Sequence, residues 1–224
     1  MTNTPEQSAD NPMLEALAAR KTVKLFAPAG VTPSGTLTRE RIDVWMDAAG
    51  NAPFHKPSHP DHDKARGVRA REPWRVTKLD AAACQKMIAQ MHADGLEADK
   101  LVSMINGAEG MAIVSFLPNP PETELGHKQD FEPTFDNMEI IAAAGAFCQS
   151  VLLAAESDGY SSYWSSGGDL RKAWGADYLG RGNAEVVIGA LFFFPAQTPE
   201  GAEVGFGSLA DKRSSVSDWS VWLD

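Results

Sequence analysis

The chain has 224 residues, 43% of them apolar and 22% charged, with a formal net charge of −10. That length suffices for one substantial core, and the acidic balance argues against a phosphate-backbone partner, whose affinity rests on Lys and Arg, while leaving room for a small anionic ligand held by a few placed cations. Two cysteines, Cys84 and Cys148, form neither a CxxC pair nor a disulfide framework, and they read as core thiols in a reducing cytoplasm.

The first stretch, "MTNTPEQSADNP", lacks a basic region followed by an apolar run, so residues 1–11 read as a flexible tail rather than a signal peptide. Asn11-Pro12 then starts a helix with Met13, Leu14 and Leu17 on one face. "KTVKLFAP" reads as a short extended segment and "AGVTPSG" as a loop. Thr38 caps a second helix in which Ile42, Trp45, Met46 and Ala49 follow helical spacing up to Gly50-Asn51. Residues 51–73 have no usable periodicity, and Trp74 to Leu79 reads as a strand. Asp80 caps a helix with Cys84, Met87, Ile88 and Met91 on one face, and another helix runs from about Leu96 to Ile105.

"GMAIVSFLP" is apolar almost throughout, as a strand covered on both faces must be. Residues 118–133 read as an acidic loop. Phe135 to Ser157 is the longest helix, and its "AAAGA" centre leaves room for a close neighbour. Its longest apolar run, Ile140 to Cys148, falls short of the roughly 20 residues of a membrane span, which points to a soluble protein. "YSSYW" is a short strand, "SSGGD" a loop, and Asp169 is expected to cap a short helix through Trp174. "EVVIGALFFF" is a second buried strand. The last 30 residues show little regular pattern, yet they carry Trp219 and Trp222 and are expected to dock on something. The order of elements is mixed α+β.

Several common chemistries are absent from the motif record: no GxGxxG follows a strand, and there is no P-loop, HExxH or GxSxG. "GAEVGFG" at 201–207 has the wrong spacing and no helix after it. His55, His59 and His62 invite a metal reading, but Pro57 and Pro60 break helical spacing, and the segment reads as solvated. Four pieces remain, each with a plainer reading when taken alone. Arg20-Lys21-Thr22 offers two cations and a hydroxyl suited to a phosphate and a polyol, or merely decorates a helix end. "NAPFHK" precedes a displaced "REPWRV"; "YWSSGG" at 163–168 can lie flat on a planar ligand, or be an ordinary turn; "DKR" at 211–213 can bind an anion, or be solvated charge.

Taken together, in this order and spacing, the four pieces and the long helix resemble the nitroreductase family of flavoproteins, and within it the short YdjA-like members. The resemblance spans about residues 12–216. It implies a three-layer α+β fold, with a central mostly antiparallel sheet flanked by helices, forming an intertwined homodimer. On this reading one FMN-binding domain covers 12–224, with the long helix at the dimer interface and the Trp-rich tail crossing onto the partner. Each FMN lies in a cleft between protomers. The phosphate and ribityl chain fall to Arg20, Lys21 and Thr22, with Lys212 and Arg213 reaching the phosphate. Pro53, His55 and Lys56 line the flavin edge, and Trp164, Ser165, Ser166, Gly167 and Gly168 lie over the ring. Glu139 or Asn137 is a weaker pocket candidate. The resemblance also implies hydride transfer from NAD(P)H to a nitroaromatic, quinone or similar electron-poor acceptor, with no protein nucleophile and no separate nucleotide-binding domain. The flavin then carries the redox chemistry and the protein binds, orients and tunes it.

The sequence departs from the family pattern. Lys21 replaces an arginine of the triplet, losing the planar fork. The link between "HK" and "PW" is swollen to 16 residues at 57–72. Arg66, Arg69 and Arg71 in it read as solvated charge, with an anionic substrate or the NADPH phosphate as the alternative. Two other functions stay open: the same fold and FMN with dehalogenation, enoyl reduction or flavin fragmentation, and a flavin- or metal-binding protein without turnover.

Overall fold

The computed structural model describes residues 11–31, 33, 35–58, 70–96, 99–119, 133–181, 185–209 and 212–223. His59, His62, Arg66, Arg69 and most of the expected acidic loop at 118–133 lie outside these. In chain order the elements are α1 (Pro12–Ala19), β1 (Val23–Phe26), α2 (Arg39–Ala49), β2 (Trp74–Asp80), α3 (Ala81–Ala93) and α4 (Asp99–Gly107). They continue with β3 (Gly110–Phe116), α5 (Phe135–Ser157), β4 (Ser161–Ser165), α6 (Ala173–Tyr178), β5 (Val186–Phe194) and β6 (Glu203–Phe206).

β2, β3, β5 and β4 form one antiparallel sheet in the order β2-β3-β5-β4, and β1 pairs with β6 in a separate antiparallel ribbon. Successive side chains of a strand face opposite ways, so each central strand feeds two cores. Ala112, Val114 and Phe116 of β3, with Leu191 and Phe193 of β5, pack under α2 and α5. Met111 and Ile113, with Ala190, Phe192 and Phe194, pack under α3, α4 and β1. All seven residues of β3 are buried, which explains why its sequence is apolar without alternation. The result is the expected three-layer α+β arrangement.

The helix starts follow the expected caps. The Asn11 carboxamide oxygen accepts from the N–H groups of Met13 and Leu14, and Thr38 Oγ1 accepts from Arg41 N–H at 3.2 Å. Asp80 Oδ1 accepts from Ala83 N–H at 2.7 Å, and its Oδ2 meets Arg39 Nε at 2.5 Å. The Ala83 hydrogen bond above all, helped by Arg39, holds the Asp80 carboxyl below its ordinary value against partial burial. A carboxyl with a depressed folded pKa contributes stability above its unfolded pKa and loses it as pH falls through the folded value. Asp80→Ala is therefore expected to cost about 1 kcal/mol at neutral pH. The gap from wild type should close below about pH 4; melting curves across pH measure both.

Four features differ from the sequence reading. Asp169 does not cap the helix before Trp174. It ion-pairs with Lys172 at 2.6 Å, while a 3-10 turn at Gly168–Arg171 precedes α6, which has no side-chain cap. β6, inside the segment read as irregular, pairs with β1; four residues with a glycine among them give too little pattern to see. α1 buries none of its residues, and Met13, Leu14 and Leu17 are exposed, so the described residues leave most of its apolar face uncovered. Finally, α5 as a whole is long and apolar enough to cross a membrane by length and composition, with mean hydropathy 1.7 and 44% of that stretch buried against the core.

Candidate functional site

Asn11 and Pro12 fix where α1 begins, and α1 lies along the C-terminal half of α5. A cavity of about 370 Å³ lies between them, lined by Met13, Ala16, Leu153 and Ala154 among others. α1 ends at Arg20, whose extended backbone terminates the helix. Burial, then the nearby Arg213 charge, lowers the Arg20 pKa, and Glu156 in the last turn of α5 pulls it back up. Two guanidinium groups from positions 193 residues apart thus lie near enough for one charge to act on the other. Lys21 holds its amine 5.5 Å from the Phe206 ring. Thr22 makes a parallel bridge to Ser162 of β4, and its carbonyl accepts from Gly207 N–H at 3.1 Å. The triplet is therefore stitched to β4 on one side and the β6 exit on the other.

β4 leads to the glycine loop. Ser165 lies three strand positions beyond Ser162, roughly 10 Å away. Ser165 Oγ accepts from Gly167 N–H at 3.2 Å. Gly167 and Gly168 have φ of 99° and 53°, values that need glycine. Ser166 and Gly168 are exposed while Ser165 and Gly167 are buried. Trp164 is wedged between α5 and the sheet: a Cβ on Gly189 would lie 2.1 Å from its Nε1, and one on Gly145 would lie 3.8 Å from the ring. Nε1 donates to Ile188 O at 3.4 Å. Trp164 thus sets the level of the loop that follows it.

The third piece lies elsewhere. Ala52 is buried, whereas Pro53 and His55 are exposed. Phe54 meets the edge of Trp74, which stacks on Phe147 of α5. Lys56 ion-pairs at 3.2 Å with Asp136 in the first turn of α5. Glu139, one turn further on, has an oxygen buried without a hydrogen-bond partner, and so has the Ser162 hydroxyl. Asn137 instead caps the exit of β3, its carbonyl oxygen accepting from Asn119 N–H at 2.7 Å.

Beyond Lys56 the 57–72 segment is closed at its base. Ser58 N–H donates to Arg71 O at 2.7 Å. The buried Arg75 donates to Glu72 O and Trp74 O at 2.8 Å and reaches Ser58 Oγ and Ala70 O at 3.4 Å.

Asp136 and Glu156 mark the two ends of α5 and are 20 residues apart, or roughly 30 Å along the helix. One chain therefore brings together Arg20, Lys21, Thr22, Arg213 and the Ser165–Gly168 loop. It holds Pro53, His55 and Lys56 at the far end of α5. Lys212 is exposed beside Arg213. Neither the cavity under α1 nor one of about 320 Å³ walled by the Arg39–Asp80 and Lys78–Asp43 pairs contains any of these residues.

The cationic end suits a phosphate monoester. Two guanidinium groups that repel one another are relieved by a dianion, and Ser166 and Gly168, exposed about 10 Å along, leave room for a flat ring. The arrangement fits FMN. Burial pushes the Cys84 and Cys148 thiols up to about 12, so neither supplies a nucleophile.

Sequence reading missed Glu156, Gly189 and Ser162. Gly189 had a usable signal: an isolated glycine inside an apolar strand marks a close approach. Glu156 had none, since its meaning depends on where α1 ends.

The sequence model of the Nitroreductase family matches residues 17–193. No curated protein matches the sequence. Among solved structures, a nitroreductase-like family protein from Bacillus cereus is 17% identical with a TM-score of 0.58, over 93% of this chain and 98% of that one. A nitroreductase with bound FMN from Desulfitobacterium hafniense is 17% identical with a TM-score of 0.53, over 96% and 100%. The FMN and NADPH-dependent nitroreductase NfnB from Sphigopyxis sp. strain HMH is 16% identical with a TM-score of 0.56, over 95% and 99%. At these identities the likeness is one of fold.

Proposed function

Since the chain belongs to the nitroreductase family, we propose that it is an FMN-dependent oxidoreductase working as a homodimer on a nitroaromatic, quinone or similar electron-poor small molecule. The observation that supports this is the bridge from Thr22 to Ser162, which sets the Arg20 end of α1, within electrostatic reach of Arg213, beside the strand that leads into the Ser165–Gly168 loop. When bound, FMN supplies two-electron hydride chemistry, with NAD(P)H as donor.

The residues divide the remaining work. Arg20 and Arg213, with Lys21 and Lys212, neutralise the phosphate. The Thr22 hydroxyl serves the ribityl chain. The Ser165–Gly168 backbone packs on the ring, at a level fixed by Trp164. Pro53, His55 and Lys56 belong to the neighbouring protomer's site, which accounts for their distance from Arg20 in one chain. Lys56 there offers a cation where negative charge builds on reduction, and Asp136 keeps it oriented. A two-fold partner on the outer face of α5 would bring the two ends together, covering that face, the apolar side of α1 and the exposed Trp219 and Trp222. We place the reaction in the cytoplasm, where NAD(P)H is at hand.

The test is an absorption spectrum of the purified dimer before and after anaerobic NADPH. A flavin spectrum that bleaches is the expected result. A flavin spectrum that NADH and NADPH leave unchanged points to the same fold with other chemistry, and colourless protein that takes up no added FMN overturns the assignment.

A further inference from the structure

We propose that Arg181 is a positioning residue for the Ser165–Gly168 loop, holding it from behind through the carbonyl of Leu170. The proposal rests on the flavin reading of that loop. Arg181 follows α6 and is 8% exposed, an uncommon state for arginine. Its Nη2 donates to Leu170 O at 2.8 Å and its Nη1 reaches Glu185 O at 3.4 Å, so one planar fork ties the loop to the start of β5. Glu185 is itself buried, its carboxylate accepting from Ser115 Oγ of β3 at 2.7 Å. The anchor is thus the sheet itself.

Leu170 is held from the other side as well. A Cβ on Gly175 of α6 would lie 2.3 Å from Leu170 O, so α6 lies directly against this peptide. The Leu170 side chain is fully buried in the core under α3 and α4. From this fixed point the hold passes forward. Leu170 N–H donates to Gly167 O at 3.0 Å, and Gly167 N–H donates to Ser165 Oγ at 3.2 Å. Gly167 and Gly168 have no side chains with which to lock their own left-handed backbone, so their shape depends on what stands behind them. Moving Leu170 moves the surface offered to the ring.

Arg181→Lys keeps the charge but not the fork, and Gly175→Ala pushes Leu170 from the opposite side. Glu109→Gln is the control: that buried carboxylate accepts from Gly35 N–H, Thr36 Oγ1 and Leu37 N–H, away from the loop. Three quantities are measured: apoprotein melting temperature, FMN Kd by quenching of flavin fluorescence, and the visible circular dichroism of bound flavin. Arg181→Lys and Gly175→Ala are expected to raise the Kd about tenfold and change the bound-flavin dichroism. Glu109→Gln should lower the melting temperature and leave both flavin readouts at wild type. If Arg181→Lys lowers only the melting temperature, as the control does, the proposal is overturned.

Should both loop variants fail to fold, hydrogen exchange on wild-type apoprotein decides. Protected Gly167 and Leu170 amides before FMN is added support the anchor. Amides that exchange freely until FMN arrives overturn it, because the ligand would then order the loop. Wild-type protein that takes up no FMN overturns the flavin reading itself, and this proposal with it.

Discussion

Protein carrying both Arg20→Ala and Arg213→Ala is expected to purify without flavin and to bind added FMN roughly two to four powers of ten more weakly than wild type. Each substitution removes a charge-assisted phosphate contact worth about 1.5–3 kcal/mol, and 1.4 kcal/mol is tenfold in Kd. The same double variant should not melt earlier as apoprotein. Burial first, and then the Arg213 charge, depress the Arg20 pKa against the pull of Glu156, so the two guanidinium charges repel when no anion lies between them. Deleting them relieves that repulsion. Lost flavin with an unchanged or raised apoprotein melting temperature therefore separates a binding role from a folding one. Flavin retained in the double variant, measured by absorbance after desalting, would show that the phosphate lies elsewhere.

A single carboxylate on the outside of α5 is expected to have an effect as large, by a different route. No charged residue occurs between Glu139 and Glu156. The outer face of this stretch carries Ala142, Ala146 and Leu153, none of them fully covered within one chain. Ala142 is exposed there, so Ala142→Glu should leave the protomer folded, with wild-type far-ultraviolet dichroism. In a two-fold dimer the carboxylate enters the interface twice, unpaired and desolvated, at several kcal/mol each. The expected outcome is a folded, flavin-free monomer by light scattering. A dimer that keeps FMN would show that α5 is not the contact.

Much of the fold was legible because its signals are local. Thr38 and Asp80 announce helix starts by chemistry that needs no partner. The uninterrupted apolar runs of β3 and β5 reflect burial on both faces. β6 escaped because it is held by pairing with β1, 177 or more residues away. Asp169 misled for a related reason: a capping residue three places before a lysine is captured by that lysine when a 3-10 turn intervenes. In the candidate site, Arg20 and Arg213 were readable as residue types, and their convergence became visible only in three dimensions. Arg75 and Arg181 look in sequence like ordinary surface cations, yet both are buried and spend their donors on backbone carbonyls.

The clasp at Ser58–Arg71 makes that point of the chain a grafting site. Because the two flanks face each other and Arg75 satisfies their carbonyls, the sheet and α5 do not register how many residues lie between them. Doubling an excursion closed in this way costs only about 0.6 kcal/mol. Chains sharing this scaffold can therefore lengthen, shorten or exchange the segment beside Lys56 while the sheet and α5 stay where they are.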